Sequence, residues 1–92
     1  EPYKTSARRR LQMRQDYINA LKANPCTDCA MRFPACVMDF DHVPERGPKV
    51  FNVGTGTMST VRLAAEIAKC DLVCANCHRI RTYNRRKVTN GR

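Results

Sequence analysis

Cys74-Ala75-Asn76-Cys77-His78-Arg79 sets two thiols three positions apart and puts a histidine directly after the second. An equally spaced pair, Cys26-Thr27-Asp28-Cys29, lies far upstream. Two intervening residues let both sulfurs of a pair face one point, so the four suit a single tetrahedral ion. On this reading Cys26, Cys29, Cys74 and Cys77 hold a structural Zn2+. A shell of four sulfurs leaves no open position for water or substrate. Binding would tie distant parts of the chain together and contribute directly to folding.

The composition favours such a knot. Ninety-two residues make one small domain, without tryptophan and with three phenylalanines and three tyrosines. A core that thin commonly needs a metal, disulfides or a partner. Six cysteines also suit a secreted disulfide scaffold, but no apolar run is long enough for a signal sequence or a membrane span. The expectation is therefore a reducing, cytoplasmic setting away from membranes, with Cys36 and Cys70 as reduced, buried thiols. The formal charge is +9, and four thiolates with one divalent ion lower it to roughly +7. Such a field favours a polyanion, nucleic acid first of all.

Along the chain, Glu1 to Thr5 reads as a frayed end, followed by a basic amphipathic helix from about Ser6 to Ala23. Leu11, Met13, Tyr17, Ile18 and Leu21 form its apolar face. Asn24-Pro25 ends it. Met31 to Ala35 is a loop, and Cys36 to His42 reads as a strand. Alternation puts Asp39 and Asp41 on one face and Met38, Phe40 and His42 on the other, with Val43-Pro44 breaking the strand. Lys49 to Val53 is a candidate extended segment, and Gly54 to Thr57 is flexible punctuation. Ser59 or Thr60 caps a helix to about Lys69, burying Val61, Leu63, Ala64, Ile67 and Ala68. Asp71 to Val73 is a brief strand, and the last helix runs from Ala75 or Asn76 to about Tyr83. These elements divide the single domain into a basic helix (1–24), a zinc-bound core (25–83) and a basic flexible tail (84–92).

Both histidines of the chain flank the cysteine knot: His42 ends the first strand and His78 opens the last helix. Taken alone, an Asp-His dipeptide is usually an ordinary loop feature. In combination, Cys26-x2-Cys29, Asp39-Phe40-Asp41-His42-Val43-Pro44, and Glu66 through Arg79 with its Cys74-Ala75-Asn76-Cys77-His78 centre resemble the HNH endonuclease family. The three motifs occur in order, and the resemblance covers roughly Pro25 to Tyr83.

That resemblance implies an α+β fold of the zinc-stabilised ββα-metal (His-Me finger) type, with the basic N-terminal helix added. It implies a DNA endonuclease that hydrolyses phosphodiester bonds to 5′-phosphate and 3′-hydroxyl ends. His42 would be the general base, and Asp41 with His78 would hold one catalytic divalent cation. Magnesium or manganese suits a site with open positions, and histidine ligation extends the choice to nickel or cobalt. Arg79, Arg81, Arg85 and Arg86 follow His78 and are candidates for contacts to the DNA backbone. A monomer or weak dimer would nick one strand, and a phage packaging protein or another partner would direct it. One departure stands out: where the family has an asparagine before the second strand, this chain has Lys69-Cys70-Asp71, and Asn76 carries no assigned role. Two readings compete with the nuclease. A non-catalytic zinc module for nucleic acid needs only the cysteines and the charge. A thiol-redox protein needs a βαβ pattern that the chain lacks.

Overall fold

The computed structural model describes residues 2–53 and 59–89. Among them, three helices and a two-stranded sheet make a small α+β protein. In chain order the elements are α1 (Pro2–Lys22), β1 (Met38–His42), α2 (Thr60–Ile67), β2 (Cys70–Cys74) and α3 (Ala75–Thr89). Short 3-10 turns at Ala35–Val37 and Pro44–Arg46 bracket β1.

β1 and β2 run antiparallel, with Met38 opposite Cys74, Asp41 opposite Asp71 and His42 opposite Cys70. The strand opens at Met38 rather than Cys36, because Pro34 starts a tight turn closed by Val37 N–H donating to the Pro34 carbonyl (2.9 Å). Cys36 is consequently exposed, not buried as expected, and Cys70 is only half-buried. Val43 N–H still donates to the Lys69 carbonyl (2.9 Å). Pro44, which has no N–H to offer, then ends the pairing. Gly47 closes the following turn at φ 122°, a backbone region that side chains with a Cβ rarely adopt.

Two small apolar clusters make the core. Cys26, Met38, Val73 and Cys74 form one, packed by Phe33, Val37, Leu72 and Cys77. Ile18, Val53 and Leu63 form the other, packed by Tyr17, Phe40, Phe51, Ile67 and Cys70. Three of the cysteines thus belong to the first cluster.

Tyr17 and Ile18, in the C-terminal half of α1, reach the core. Leu11 and Met13, expected on its apolar face, are 58% and 62% exposed, while Ile18 is buried. The helix begins at Pro2, ahead of the expected start. It stops at Lys22, where Asn24 Nδ2 donates to the Leu21 carbonyl (2.9 Å) and Arg32 Nη1 to that of Ala23 (2.9 Å). Lys22 lies over the Phe40 ring at 5.6 Å, a cation–π contact that fastens α1 to the sheet.

Ser59 caps α2, its hydroxyl accepting from Arg62 N–H (3.3 Å). The buried side of α2 is Leu63 with Glu66, whereas Val61 (78% exposed), Ala64 and Ala68 face outward, against expectation. A charged residue takes the inner position because two donors and a histidine meet its carboxylate there. Residues 49–53 are irregular rather than a strand. The expected punctuation at Gly54–Thr57 lies outside the described residues, as do Glu1 and Asn90–Arg92. α3 continues six residues past Tyr83, to Thr89, so the stretch expected as a flexible tail is mostly helix.

Candidate functional site

Cys26, Cys29, Cys74 and Cys77 converge until their sulfurs all lie within 4.8 Å of one another. Zinc–sulfur arms of about 2.3 Å in a tetrahedron set sulfurs roughly 3.8 Å apart, so the four thiols can hold a metal ion such as zinc. The first pair is shaped by a tight knuckle. Cys26 N–H donates to the Met31 carbonyl and Ala30 N–H to that of Cys26, both at 2.9 Å, with Ala30 at a left-handed φ of 63°. Thr27 N–H donates to the Leu72 carbonyl of β2 (2.8 Å), which fixes this knuckle to the strand leading into the second. In that second knuckle, Cys74 ends β2 and Cys77 lies in the first turn of α3.

Backbone amides face the sulfurs. Cys74 N–H donates to the Cys26 sulfur (3.3 Å) and Cys77 N–H to the Cys74 sulfur (3.5 Å). Burial pushes the Cys26 thiol up, but amides of Cys29, Cys74 and Asp28 outweigh it and bring it down to about 6. The neighbouring Cys74 sulfur, burial and the other sulfurs push Cys77 up to about 12. One thiolate forms readily here, and four together need a cation among them.

A second cluster lies on the face of the sheet that meets α3. His78 Nδ1 is 3.0 Å from Asp39 Oδ2, and His78 Nε2 is 3.4 Å from Asp41 Oδ1. Asp41 is buried at 3% exposure and also accepts from two arginines one and two turns along α3. Arg81 Nη1 donates to Asp41 Oδ2 (2.9 Å), and Arg85 donates to both Asp41 oxygens (2.7 and 2.8 Å). Burial would raise the Asp41 pKa, but these guanidinium bonds, with His78 nearby, hold it below the usual carboxylate range.

Arg81 is the hub of this cluster. It also reaches Asp71 Oδ2 (3.0 Å) and grips both oxygens of Asp28 in the first knuckle (2.6 and 2.7 Å). Asp41 and Asp71 stand directly opposite each other in register, a like-charge pairing that would destabilise the sheet without a cation between them. Asp71 is further held by Arg46 Nη2 (2.9 Å).

His42 faces the other way. Alternation along β1 turns its ring toward α2, where Nε2 lies 2.8 Å from Glu66 Oε2. Glu66 is 2% exposed and also accepts from Val50 N–H (3.1 Å) and Lys69 Nζ (3.1 Å). Burial opposes its ionisation, yet those hydrogen bonds prevail and hold the carboxyl down to about 2.

Of the residues singled out in the sequence, the fold therefore joins Asp41 to His78 and the four cysteines to one another, while His42 points to the opposite face. Arg81 and Arg85 are engaged with carboxylates. Arg79 and Arg86 are exposed and, with His78, Ile80 and Tyr83, line an open groove of ≈ 930 Å³ along α3. Asn76 also lines this groove. Four acidic residues of the site carried no role in the sequence reading: Asp28, Asp39, Asp71 and Glu66. Asp39 shares the face of Asp41 by alternation, and Glu66 follows Leu63 by one helical turn, so both had a usable signal. The roles of Asp28 and Asp71 depend on where Arg81 reaches, which no local pattern encodes.

No helix among the described residues is long and apolar enough to cross a membrane. No protein-family model matches the chain, and neither does any curated protein or solved structure. Fold and site together define a small α+β protein with a four-cysteine cluster that can hold a metal ion and an adjoining histidine–carboxylate cluster.

Proposed function

We propose that this protein is a metal-dependent DNA endonuclease of the HNH type, with β1, β2 and α3 as its ββα-metal unit. The observation that carries this reading is the facing of His78 Nε2 and Asp41 Oδ1 at 3.4 Å. When Nδ1–H is donated to Asp39, the neutral ring turns a lone pair on Nε2 toward a carboxylate oxygen. Two acceptors in apposition call for a cation between them, either a second proton or a metal ion. Ligand atoms about 2.1 Å from one ion stand roughly 3.0–3.4 Å apart at ordinary coordination angles. The donor set therefore fits a divalent ion held by Asp41 and His78, with Asp39 orienting the histidine from behind.

Bound Mg2+ or Mn2+ would supply positive charge at the scissile phosphate and the leaving oxygen; Ni2+ and Co2+ suit the same donors. His42, next to Asp41 at the end of β1 but with its ring turned to α2, is the base that the resemblance implies for the attacking water, and it would act around the end of the strand. Arg79 and Arg86, exposed along the groove beside His78, bind flanking phosphates, whereas Arg81 and Arg85 support the acidic cluster. Their contacts would be to the backbone and read no sequence. The same reading carries a cytoplasmic setting, a monomer or weak dimer that nicks one strand, and a directing partner such as a phage packaging protein.

A second reading, a non-catalytic zinc module for nucleic acid, has one observation in its favour: Asp41 is already satisfied by Arg81 and Arg85. Supercoiled-plasmid relaxation by zinc-loaded protein separates the two. The nuclease relaxes plasmid with Mg2+ or Mn2+ and stops on chelation, whereas the binding module leaves it supercoiled with every ion.

A further inference from the structure

We propose that Glu66 is the positioning residue for His42, and that it makes Nδ1, not Nε2, the nitrogen that accepts the proton from water. This rests on the nuclease reading for its chemistry but on the geometry alone for its tautomer. Glu66 Oε2 lies 2.8 Å from His42 Nε2. The Glu66 carboxylate is almost fully buried and is met by Val50 N–H and Lys69 Nζ, which favour its ionised form. An ionised carboxylate only accepts hydrogen bonds, so the imidazole nitrogen facing it must carry the hydrogen. In a neutral ring the other nitrogen then holds the lone pair. The His42 side chain as a whole retains 18% exposure.

A carboxylate one turn before Cys70 thus fixes both ring orientation and tautomer. Lys69 and the residue 48–50 loop serve a different part: Lys69 Nζ donates to the Pro48 carbonyl (2.9 Å) and to Glu66 Oε1 (3.1 Å), which keeps the carboxylate charged and in place. In the reaction the proton passes from water to Nδ1, the hydroxide oxygen bonds to phosphorus, and the phosphorus–oxygen bond to the 3′ oxygen breaks, its electron pair going to that oxygen, which takes a proton from solvent water. The imidazolium left behind has Glu66 at Nε2 to stabilise its charge.

Nitrogen-15 correlation spectra of His42 at mildly alkaline pH, with single-turnover cleavage on the same samples, test this in zinc-loaded wild type, Glu66→Ala and Glu66→Gln. The expected wild-type ring carries hydrogen on Nε2 only. Glu66→Gln keeps that form through its amide oxygen and stays within a few-fold of wild-type cleavage. Glu66→Ala mixes the tautomers and cleaves about 100-fold more slowly, with DNA affinity unchanged. A wild-type ring with hydrogen on Nδ1, or on both nitrogens, overturns the proposal without any variant having to fold. So does Glu66→Ala cleaving at the wild-type rate. An Nε2–H ring in protein that cleaves nothing would instead retire the nuclease reading and leave the tautomer assignment in place.

Discussion

The Arg85 guanidinium closes on the Asp41 carboxylate with both terminal nitrogens, Nη1 to Oδ1 at 2.7 Å and Nη2 to Oδ2 at 2.8 Å. Asp41 is also the carboxylate nearest the free nitrogen of His78. Arginine and a divalent ion therefore compete for one group. Arg85→Ala should tighten Mn2+ binding about two- to fivefold, since Arg85 is 41% exposed and such a pair is worth at most about 1 kcal/mol. Calorimetric titration of zinc-loaded protein reads this directly. Weaker binding in the variant would show that Arg85 helps to hold the ion rather than opposing it.

Arg81 is a matter of stability. It neutralises Asp41 and Asp71 across the sheet and fastens Asp28 of the first knuckle. Arg81→Ala should cost roughly 1–3 kcal/mol, in the range of hydrogen bonds to charged groups. Arg81→Lys should recover little, because one ammonium cannot reproduce the planar fork across three carboxylates. The check is the denaturant midpoint of zinc-loaded protein at unchanged slope.

Asp39 accepts from the back of His78 (3.0 Å). Asp39→Asn should weaken divalent-ion binding about 10- to 100-fold, as loss of an outer partner to a ligating histidine commonly does. Zinc content and DNA affinity should not change. Equal Mn2+ affinity in the two proteins would remove Asp39 from the site.

Much of this was legible in the residues, and the reasons for the rest are specific. The four cysteines could be paired because C-x2-C spacing is a local geometric demand. Asp39 and Asp41 could be put on one face because strand alternation is strict. Glu66 was given no role because apolar periodicity passes over a charged residue, while Val50, Lys69 and His42 together supply the bonds that make its burial tolerable. Arg81 and Arg85 read as phosphate ligands by charge alone. Their engagement depends on the crossing of α3 over β1, a long-range relation that one-dimensional spacing does not carry. α3 outran its expected end because nothing after Tyr83 breaks a helix before Asn90-Gly91.

Thiol reactivity distinguishes the two cysteines outside the knot. Burial and the charges of Glu66 and Asp41 push the Cys70 thiol up to about 11, whereas Cys36 is exposed. At neutral pH Cys70 stays protonated, and the thiolate is the nucleophile. Iodoacetamide should modify Cys36 first in zinc-loaded protein and Cys70 much more slowly, with the Cys70 rate climbing as pH approaches 11. Mass mapping of the alkylated peptides reports the order, and a Cys70 as fast as Cys36 would contradict the burial assigned to it.

Removal of zinc should dismantle the first core cluster, since Cys26 and Cys74 are two of its four buried members. A strong chelator should abolish the near-ultraviolet circular dichroism, and added Zn2+ should restore it. Cys26→Ala should fold poorly even with excess metal. A chelated protein that keeps its tertiary signal would mean that the cysteines are not what holds this core.

The most direct measurement is single-turnover nicking of supercoiled plasmid by wild type, His42→Ala and His78→Ala, each zinc-loaded and shown to bind DNA. The account predicts cleavage with Mg2+ or Mn2+ in the wild type and losses of about 100-fold or more in both variants. His42→Ala should retain Mn2+ binding, and His78→Ala should lose it. Wild-type protein that binds DNA and cleaves with no ion, or variants that cleave as fast as wild type, would contradict it.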